Sequence, residues 1–392
     1  MDIFVKKVKA LGEKFSRIYI YGAGYYGQRV YNILQENHIV VEGFVVTNDI
    51  DCMPKNIRGG VLRIDEVDLE NISLIVSASR YNSIEMLREL KKRHCSDERI
   101  ICACEYLDNR KIDEDYYGLP TIDITTMIGC KVNCKYCPQE LLLHNYFKGN
   151  PNRDSVMTME TFKAFLDHLP EKCNLMFCGM AEPFLNPWCS DMISLAYECG
   201  KNIELYTTLV GATQKDLERI WDIPMSFVNL HVADINGYAQ IPVTEAYFEL
   251  IKNALEHKRE DGSLFVNLCN AQGEPHPRIK ELCRGKLDIS TVLHDRAGNL
   301  ENKELFHKET LLGKLSCSRC GQKLNNNVLL PDGTLLLCCM DYGMKHVLGN
   351  LKSMKYEDIM EGNSLIKIKE GLMGNEEVDI LCRSCSFASK LE

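Results

Sequence analysis

The middle of the chain repeats one pattern of apolar and polar positions. A short apolar run is followed by a longer stretch with apolar residues every three or four positions. The runs predict strands and the stretches predict amphipathic helices. Strands are predicted at 121–127, 174–179, 203–208, 227–233, 264–270 and 288–294, and helices near 158–169, 188–199, 212–221, 244–257 and 275–284. This alternation predicts a parallel sheet, open or curled toward a barrel.

The first hundred residues form a separate α/β region. After a helix over 3–15, an apolar strand runs into the motif G-x-G-x-x-G, whose glycines are Gly22, Gly24 and Gly27, and a helix follows. This order lets backbone N–H groups approach a pyrophosphate. The next strand ends at Asp49, near the spacing of a ribose-binding acid. The segment resembles the small Rossmann-like domains attached to sugar-nucleotide and polysaccharide enzymes, although a degenerate domain without nucleotide remains an alternative.

Composition narrows the class of protein. The 392 residues carry a net charge of −9, which argues against nucleic acid as a partner. No run of 18 apolar residues predicts a membrane helix, and the first residues lack the apolar core of a signal peptide. We therefore expect a cytoplasmic protein. Nineteen cysteines in such a chain favour metal or cluster binding over disulfides.

Three cysteines lie close together after the first middle strand. Cys130, Cys134 and Cys137 have the spacing C-x3-C-x2-C, and Tyr136 precedes the last of them. Three thiolates can hold three irons of a [4Fe–4S] cube and leave the fourth iron open. The alternative is a set of core or zinc-binding cysteines. With its flanking pattern, the loop resembles that of the radical S-adenosylmethionine (SAM) enzymes.

The resemblance implies a fold and a chemistry. The fold is α/β: a partial (β/α)6 radical SAM barrel with an N-terminal Rossmann-like domain and a C-terminal cysteine-rich extension. A reduced cluster would cleave SAM to a 5′-deoxyadenosyl radical, which abstracts hydrogen from the substrate. A reductant of the flavodoxin or ferredoxin type would supply the electron. The loop over 138–156 is expected to cover the cluster.

Polar residues at the predicted strand ends are candidates for contacts with SAM or substrate. The segment containing Gly179, Ala181 and Glu182 resembles the Gly-Glu-Pro turn that holds the amino group of SAM, with Ala181 where glycine is common. The resemblance also implies a SAM contact from Thr207 or Thr208.

Two further candidates follow from the residues themselves. Asn229 and His231 share one face of a strand and are expected to point into the barrel mouth. Arg296 is a candidate for a carboxylate or another anion, because a guanidinium pairs with such groups bidentately. The alternatives are a core histidine and a surface salt bridge.

The last 80 residues hold a second group of cysteines, at 317, 320, 338, 339, 382 and 385, around a hairpin with its turn at 331–333. This part resembles the SPASM extension of radical SAM enzymes in its shortened twitch form. The resemblance implies one auxiliary [4Fe–4S] cluster on Cys320, Cys338, Cys382 and Cys385, with Cys317 and Cys339 as alternative ligands. A zinc ribbon on both C-x2-C pairs is the competing interpretation.

We therefore predict a Rossmann-like domain over 1–107, a barrel over 120–308 and an auxiliary-cluster domain over 309–392. The predicted function is that of a radical SAM oxidoreductase or epimerase acting on a carbohydrate or sugar nucleotide. A peptide- or protein-modifying radical SAM enzyme is one alternative. A nucleotide-responsive scaffold with structural metal sites is the other.

Overall fold

The computed structural model describes residues 2–15, 17–47, 60–78, 80–107, 118–260, 262–283, 287–290, 293–301 and 305–391. The chain forms two compact units, Met1–Tyr117 and Gly118–Glu392. Asp49, the predicted ribose ligand, lies outside the described residues. No described helix has both the length and the apolar content needed to cross a membrane.

The first unit contains a five-stranded parallel sheet in the order β3-β2-β1-β4-β5. Its strands are β1 Ile18–Tyr21, β2 Gly43–Val46, β3 Gly60–Arg63, β4 Ser73–Val76 and β5 Ile100–Cys102; its helices are α1 Asp2–Lys14, α2 Tyr25–Glu36, α3 Arg80–Lys92 and α4 Ala103–Leu107, with 3-10 turns at Ile64–Glu66 and Asp97–Arg99. Because β1 is flanked by β2 and β4, the strand order reverses at the glycine motif. In such sheets that point is where ligands bind.

The glycines of the motif have different structural roles. Gly22 has φ +104°, in the left-handed region that favours glycine. A Cβ on Gly27 would lie 2.0 Å from the carbonyl oxygen of Gly22, so α2 packs closely on the loop. A Cβ on Gly24 would meet no atom within 4 Å. Gly24 is therefore the position where the motif leaves space.

The second unit is built on a nine-stranded sheet in the order β11-β10-β9-β8-β7-β6-β13-β14-β15. Its strands are β6 Thr121–Ile124, β7 Asn174–Phe177, β8 Asn202–Thr207, β9 Phe227–His231, β10 Leu268–Gln272, β11 Leu287–Ser290, β13 Asn326–Leu329, β14 Thr334–Leu336 and β15 Val347–Asn350, while β12 Leu315–Cys317 and β16 Ala388–Lys390 form a separate pair. Strands β6 to β11 are parallel neighbours, as the strand–helix alternation predicts.

Helices connect these strands. They are α5 Gln139–Phe147, α6 Met159–Leu166, α7 Cys189–Glu198, α8 Gln214–Ile220, α9 Glu245–Glu256, α10 Pro277–Leu282, α11 Tyr356–Met360 and α12 Asn363–Leu372, with 3-10 turns at Pro183–Leu185 and Leu381–Ser384. Outward-facing strand residues such as Ile122, Leu175 and Leu205 share one buried core with helix residues such as Phe162 and Ile193. The alternate strand positions therefore face the inside of the curved sheet.

The hairpin of the extension continues this sheet. Strand β13 pairs in parallel with β6, from Asn326 opposite Thr121 to Leu329 opposite Ile124, and β14 returns antiparallel to β13. The predicted hairpin is thus present, and its first strand lies beside the strand that leads into the three-cysteine loop.

Two elements differ from the sequence prediction. The segment 138–156, predicted as a loop, begins with helix α5, because Leu142 and Tyr146 on one side of it are fully buried. The sequence after the hairpin predicts a single helix near 355–370, whereas the structure has two helices there, α11 and α12. Gly362 between them is extended, with ψ 154°, and interrupts the helical hydrogen bonds.

Candidate functional site

The loop that carries Cys130, Cys134 and Cys137 follows β6 at the carboxyl end of the sheet. Backbone hydrogen bonds fasten it to the segment after β9: the Lys135 N–H donates to the Tyr238 carbonyl and the Gln240 N–H donates to the Val132 carbonyl, both at 2.8 Å. Asp234 in turn accepts from the N–H groups of residues 238 and 239. The loop is therefore held from outside its own sequence.

Two thiols of this triad have an N–H donor beside them. The Glu182 N–H lies 3.4 Å from Cys130 Sγ, and the Gln139 side-chain amide lies 3.2 Å from Cys137 Sγ. Tyr342, in the extension, places its hydroxyl 3.4 Å from the same sulfur. Donors around sulfur suit thiolates, which is the form that binds iron.

Burial opposes thiolate formation in this loop when no metal is bound. Burial raises the pKa of Cys130 and raises that of Cys134 to about 12. Burial also raises the pKa of other thiols in the described part of the chain, but the triad places three cysteines on one short loop, with N–H donors beside Cys130 and Cys137. A bound cation would reverse the balance, because metal binding releases the thiol protons. The donor set fits an iron–sulfur cluster.

Glu182 fixes the turn that follows β7. Its carboxylate accepts from the Thr207 hydroxyl at 2.5 Å and from the Thr208 N–H and hydroxyl at 2.6 and 2.7 Å, and the Phe184 N–H also donates to it. The two threonine hydroxyls accept in turn from the N–H groups of residues 209 and 210. The side chains predicted to contact SAM thus bind one another and join the ends of β7 and β8.

The backbone of the same turn faces the triad loop. The Met180 N–H donates to Thr125 Oγ1 and its carbonyl accepts from Gln139. Ala181 does not have a positive φ, so alanine is tolerated where the family often has glycine. Within the described residues, neither backbone group of Ala181 makes a hydrogen bond. These groups are available for the backbone contact with SAM that the resemblance implies.

Asn229 and His231 face the inside of the sheet together. The imidazole Nε2 lies 2.7 Å from the Tyr136 hydroxyl, and Nδ1 lies 2.9 Å from the Asn270 amide, which is 2.7 Å from Asn229. Burial lowers the pKa of His231 to about 4, so the ring is neutral at neutral pH. The histidine therefore joins the triad loop to the inner face.

Arg296 lies at the same mouth. Its Nε donates to the Tyr136 carbonyl at 3.3 Å, and its backbone is left-handed, with φ 54°. The Asn299 side chain bridges the carbonyls of Arg296 and Met340, both at 2.7 Å. No described carboxylate pairs with this guanidinium. The contact of Arg296 with a carboxylate or another anion stays a prediction.

The six C-terminal cysteines line one pocket that is partly open to solvent. They are Cys317, Cys320, Cys338, Cys339, Cys382 and Cys385. Within this set, a hydrogen bond with Cys320 lowers the pKa of Cys317 to about 6, whereas burial raises that of Cys382 to about 12. Cys339 accepts a hydrogen bond from Arg319, which favours Cys338 as the ligand of that pair.

The spacing of these thiols bears on the kind of site. In the described part of the chain, no three His, Cys, Asp or Glu side chains converge on the position of a single metal ion. A cube-shaped cluster separates its thiolates more widely than one ion does. Six thiols around one pocket can supply the four thiolates of such a cluster, and the four-cysteine ligand set remains a prediction.

Several site residues were missed by the sequence analysis. Asp123, on the inner face of β6, is 1% exposed and neither carboxylate oxygen accepts a hydrogen bond, although Arg319 lies 4.0 Å away. The sequence signal that could have identified Asp123 is that it is the one acidic residue within an apolar predicted strand. For Gln139 and Tyr342, the sequence offered no signal other than a cysteine two or three residues earlier in the chain. Asn270 was not recognised because its strand, β10, was predicted to begin at residue 264, whereas it begins at Leu268.

The glycine motif of the first unit has polar neighbours. Ser77 follows β4 and is 2% exposed, and its hydroxyl has no hydrogen-bond partner. Gln28, in the first turn of α2, has a buried side-chain nitrogen without a partner. Helix α2 has no side-chain cap at its N-terminus. The motif is therefore surrounded by donors.

Two family models match the chain. The radical SAM superfamily model matches residues 124–284, and the SPASM iron–sulfur cluster-binding domain model matches residues 317–386. A comparison with curated proteins found no match.

Solved structures are similar to the chain at low identity. BtrN in complex with AdoMet and 2-DOIA is 18% identical over 68% of this chain and 93% of that one, with a TM-score of 0.45. Native anSMEcpe with bound AdoMet and Cp18Cys peptide is 15% identical over 68% and 86%, with a TM-score of 0.41. Streptococcus suis SuiB bound to precursor peptide SuiA is 11% identical over 92% and 83%, with a TM-score of 0.45.

Proposed function

The chain is a radical SAM enzyme with a C-terminal SPASM domain, and from this premise we propose that its substrate is a small carbohydrate or sugar nucleotide, which it oxidises or epimerises. When bound, the cluster and SAM supply a radical able to remove hydrogen from carbon. The remaining work of binding, orienting and excluding water belongs to the residues of this chain.

The observation that carries the proposal is a set of unpartnered acceptors on the inner face. Both oxygens of Asp123, Oδ1 of Asn229 and Oε1 of Gln272 are buried and accept no hydrogen bond from any described group. They stand on β6, β9 and β10, at positions that face away from the helices. Buried acceptors without donors cost free energy, which a donor-rich ligand would recover. Several hydroxyl groups on one small ring match such a set.

Positioning residues surround this face. Thr121, Asn174 and Asn202 form a hydrogen-bonded row at the amino end of the strands. His231 and Arg296 lie at the other end, beside the triad loop. A substrate held between them would present its ring carbons toward the triad. The auxiliary cluster on the C-terminal cysteines is the proposed acceptor of the second electron when the net reaction is an oxidation.

Hydrogen transfer from a labelled substrate tests the proposal. Anaerobically reconstituted protein is incubated with SAM, a reductant and one of two panels: deuterated amino sugars, cyclitols and UDP- or CDP-sugars, or deuterated peptides. We expect deuterium in 5′-deoxyadenosine with a member of the first panel only. Transfer from peptides alone would establish the peptide-modifying alternative.

A variant with Cys130, Cys134 and Cys137 replaced by alanine is the control and should cleave no SAM. If the wild-type protein with both clusters assembled cleaves no SAM, the scaffold alternative is favoured.

A second function, in the first unit, is favoured by the donors around its glycine motif. Ser77 continues the face of β4 that carries Ile75, which packs against α2 in one core. The Ser77 hydroxyl and the Gln28 amide lack hydrogen-bond partners among the described residues, and both belong to segments that adjoin the glycine motif, as does the N-terminus of α2. Donors without acceptors indicate an anion, and we propose the phosphates of a nucleotide.

The variant Gly24→Val tests this site because the fold has room for the new side chain and φ is −71°. We expect unchanged thermal stability and loss of the shift in melting temperature that NAD or a UDP- or CDP-linked sugar produces. Gly60→Val is the matched control, since that glycine also has open space but lies at the amino end of β3. No response of the wild type to any of these ligands would indicate a degenerate domain.

A further inference from the structure

The loop between β14 and β15, residues 338–345, reaches both predicted cluster sites, and we call it the bridge loop. It begins with Cys338 and Cys339, which line the C-terminal pocket. Tyr342, in the middle of the loop, places its hydroxyl oxygen 3.4 Å from Cys137 Sγ of the triad. These two partners are 205 residues apart in the chain, and the pairing of β13 with β6 brings them together. One short loop therefore carries thiols of one site and a hydrogen-bond partner for the other.

Hydrogen bonds within the chain fix the shape of the bridge loop. The two ends of the loop are joined by the Leu337 N–H, which donates to the His346 carbonyl at 3.0 Å. The Asp341 carboxylate, which is 2% exposed, accepts from the backbone N–H groups of residues 345 and 346 at 2.8 and 2.7 Å. Tyr342 follows Asp341 directly and is itself buried. The bridge loop therefore presents Tyr342 to the triad from a fixed backbone.

A second set of hydrogen bonds ties the bridge loop to the triad loop. Asn299 Nδ2 donates to the Met340 carbonyl in the bridge loop and to the Arg296 carbonyl, both at 2.7 Å. Arg296 Nε in turn donates to the carbonyl of Tyr136 at 3.3 Å, and Tyr136 immediately precedes Cys137. Both connections reach the same end of the triad, so they hold the Tyr342 hydroxyl and the Cys137 sulfur in register.

The protonation state of Cys137 decides which atom of the contact is the donor. A thiol and a phenol hydroxyl can each donate, whereas a thiolate that binds iron has no proton and can only accept. With iron bound, the Tyr342 hydroxyl is therefore the donor. Among the described residues its hydrogen-bond partner is Cys137, so no other described acceptor competes for its proton. The Gln139 amide lies 3.2 Å from the same sulfur, which gives Cys137 two donors.

We propose that the Tyr342 hydroxyl donates to the Cys137 thiolate and thereby raises the reduction potential of the cluster on the triad, so that the C-terminal extension sets a property of the SAM-cleaving site. The inference rests on the proposed function only in requiring a cluster on the triad. One electron from an external reductant adds one negative charge to that cluster. A donor on a ligand sulfur stabilises the more negative, reduced form and favours the uptake of the electron.

The variant Tyr342→Phe tests the proposal, because it removes the hydroxyl and keeps the ring, which packs in a core with Leu142 and Leu336. The reconstituted protein is titrated with dithionite, and electron paramagnetic resonance follows each cluster. The triad alanine variant retains only the C-terminal site and so identifies the signal of the auxiliary cluster. We expect an unchanged iron content and a downward shift in the midpoint potential of the triad cluster. An unchanged or raised potential overturns the proposal.

Two further variants separate this hydrogen bond from a general effect of substitution. Tyr356→Phe is the matched control, since that hydroxyl is also buried in the extension but donates to Asn327 Oδ1 at 2.7 Å, and it should leave the triad potential unchanged. Gln139→Leu is the positive control and should lower the triad potential, because it removes the other donor to Cys137. A lower potential in Gln139→Leu but not in Tyr342→Phe would show that the hydroxyl is not a donor. An equal shift in Tyr356→Phe would also reject the proposal.

Failure of the premise looks different. A wild-type protein that assembles only the auxiliary cluster gives no triad signal at all, which would reject the proposed function and this inference together. A wild-type triad cluster that cleaves SAM, together with an unshifted Tyr342→Phe variant, rejects the inference alone. Because phenylalanine keeps the ring and its packing, the comparison of Tyr342→Phe with the wild type remains decisive even if Gln139→Leu prevents folding.

Discussion

At the scale of single residues, one buried carboxylate decides the geometry of two strand ends. Glu182 was predicted as a contact of SAM, yet its two oxygens are filled by donors from residues 184, 207 and 208. Each carboxylate oxygen of Glu182 accepts from one backbone N–H, and the backbone fixes the direction of both N–H groups. The side chain therefore holds the turn in place, and the contact of the turn's backbone with SAM stays a prediction.

The variant Glu182→Gln should be destabilised by about 2–3 kcal/mol, because its NH2 group must face a backbone N–H in either orientation. Denaturant unfolding measures the loss, and the apparent affinity for SAM should fall with it. Glu245→Gln is the control, since that carboxylate is exposed and its pair with Arg278 is worth little. A Glu182→Gln variant as stable as the wild type would mean that the native carboxyl is protonated.

A pH-dependent residue lies beside the C-terminal cysteines. His346 Nε2 accepts from the Leu381 N–H at 3.0 Å, next to Cys382. Burial, with Lys345 nearby, lowers the pKa of His346 to about 4, compared with about 6.5 when unfolded. The unfolded chain therefore takes up the proton first as pH falls. The contribution of His346 to the free energy of unfolding is fully present above pH 6.5 and is lost as the pH falls toward 4.

We expect the wild type to lose about 2 kcal/mol of stability from this group between pH 7 and pH 5. His346→Gln should lack that part of the loss, because an amide oxygen can accept the same bond without titrating. The measurement is denaturant unfolding of both proteins at the two pH values. Parallel losses in both proteins would assign the pH dependence to other groups.

At the scale of elements, the hairpin β13–β14 connects the two cysteine sets. Because β13 pairs with β6, the residues after β14 arrive beside the triad loop, and Tyr342 reaches Cys137. The same segment begins with Cys338 and Cys339, which line the auxiliary cavity. One short stretch of chain therefore touches both predicted cluster sites.

Metal content distinguishes the two interpretations of the C-terminal cysteines. In a background where Cys130, Cys134 and Cys137 are alanine, a cluster predicts about four irons per chain and cube-type absorption. Adding Cys338→Ala should remove this iron. The neighbouring Cys339→Ala should retain it, because the Cys339 thiol accepts a hydrogen bond from Arg319 and is not a predicted ligand. Stoichiometric zinc without iron in the triad background would establish the zinc ribbon instead.

At the scale of the whole molecule, each compact unit has buried cores of its own. A chain starting at Gly118 should therefore fold, assemble both clusters and cleave SAM at a rate within about threefold of the full chain, a difference of under about 1 kcal/mol. Iron analysis, unfolding and 5′-deoxyadenosine formation check this. An insoluble or iron-free product would show that the second unit depends on the first.

Much of the architecture was predictable because it is encoded in local spacing. Strand–helix alternation predicted the parallel sheet, and the glycine motif predicted the strand–turn–helix at Gly22. The cysteine spacing indicated two metal- or cluster-type sites, and the resemblance to radical SAM enzymes favoured a cluster at each. Helix α5 was missed because its three consecutive leucines carry no helical periodicity, and a contact with the rest of the sheet decides which side is buried.

What the sequence determined by itself is the identity and spacing of the groups on each short segment, since covalent distance along the chain fixes them. What only the tertiary structure decided is which groups meet. Tyr136 and His231 are 95 residues apart, and Cys137 and Tyr342 are 205 apart. Their contacts follow from the register of neighbouring strands, and from the requirement that buried donors find acceptors, which no local pattern specifies.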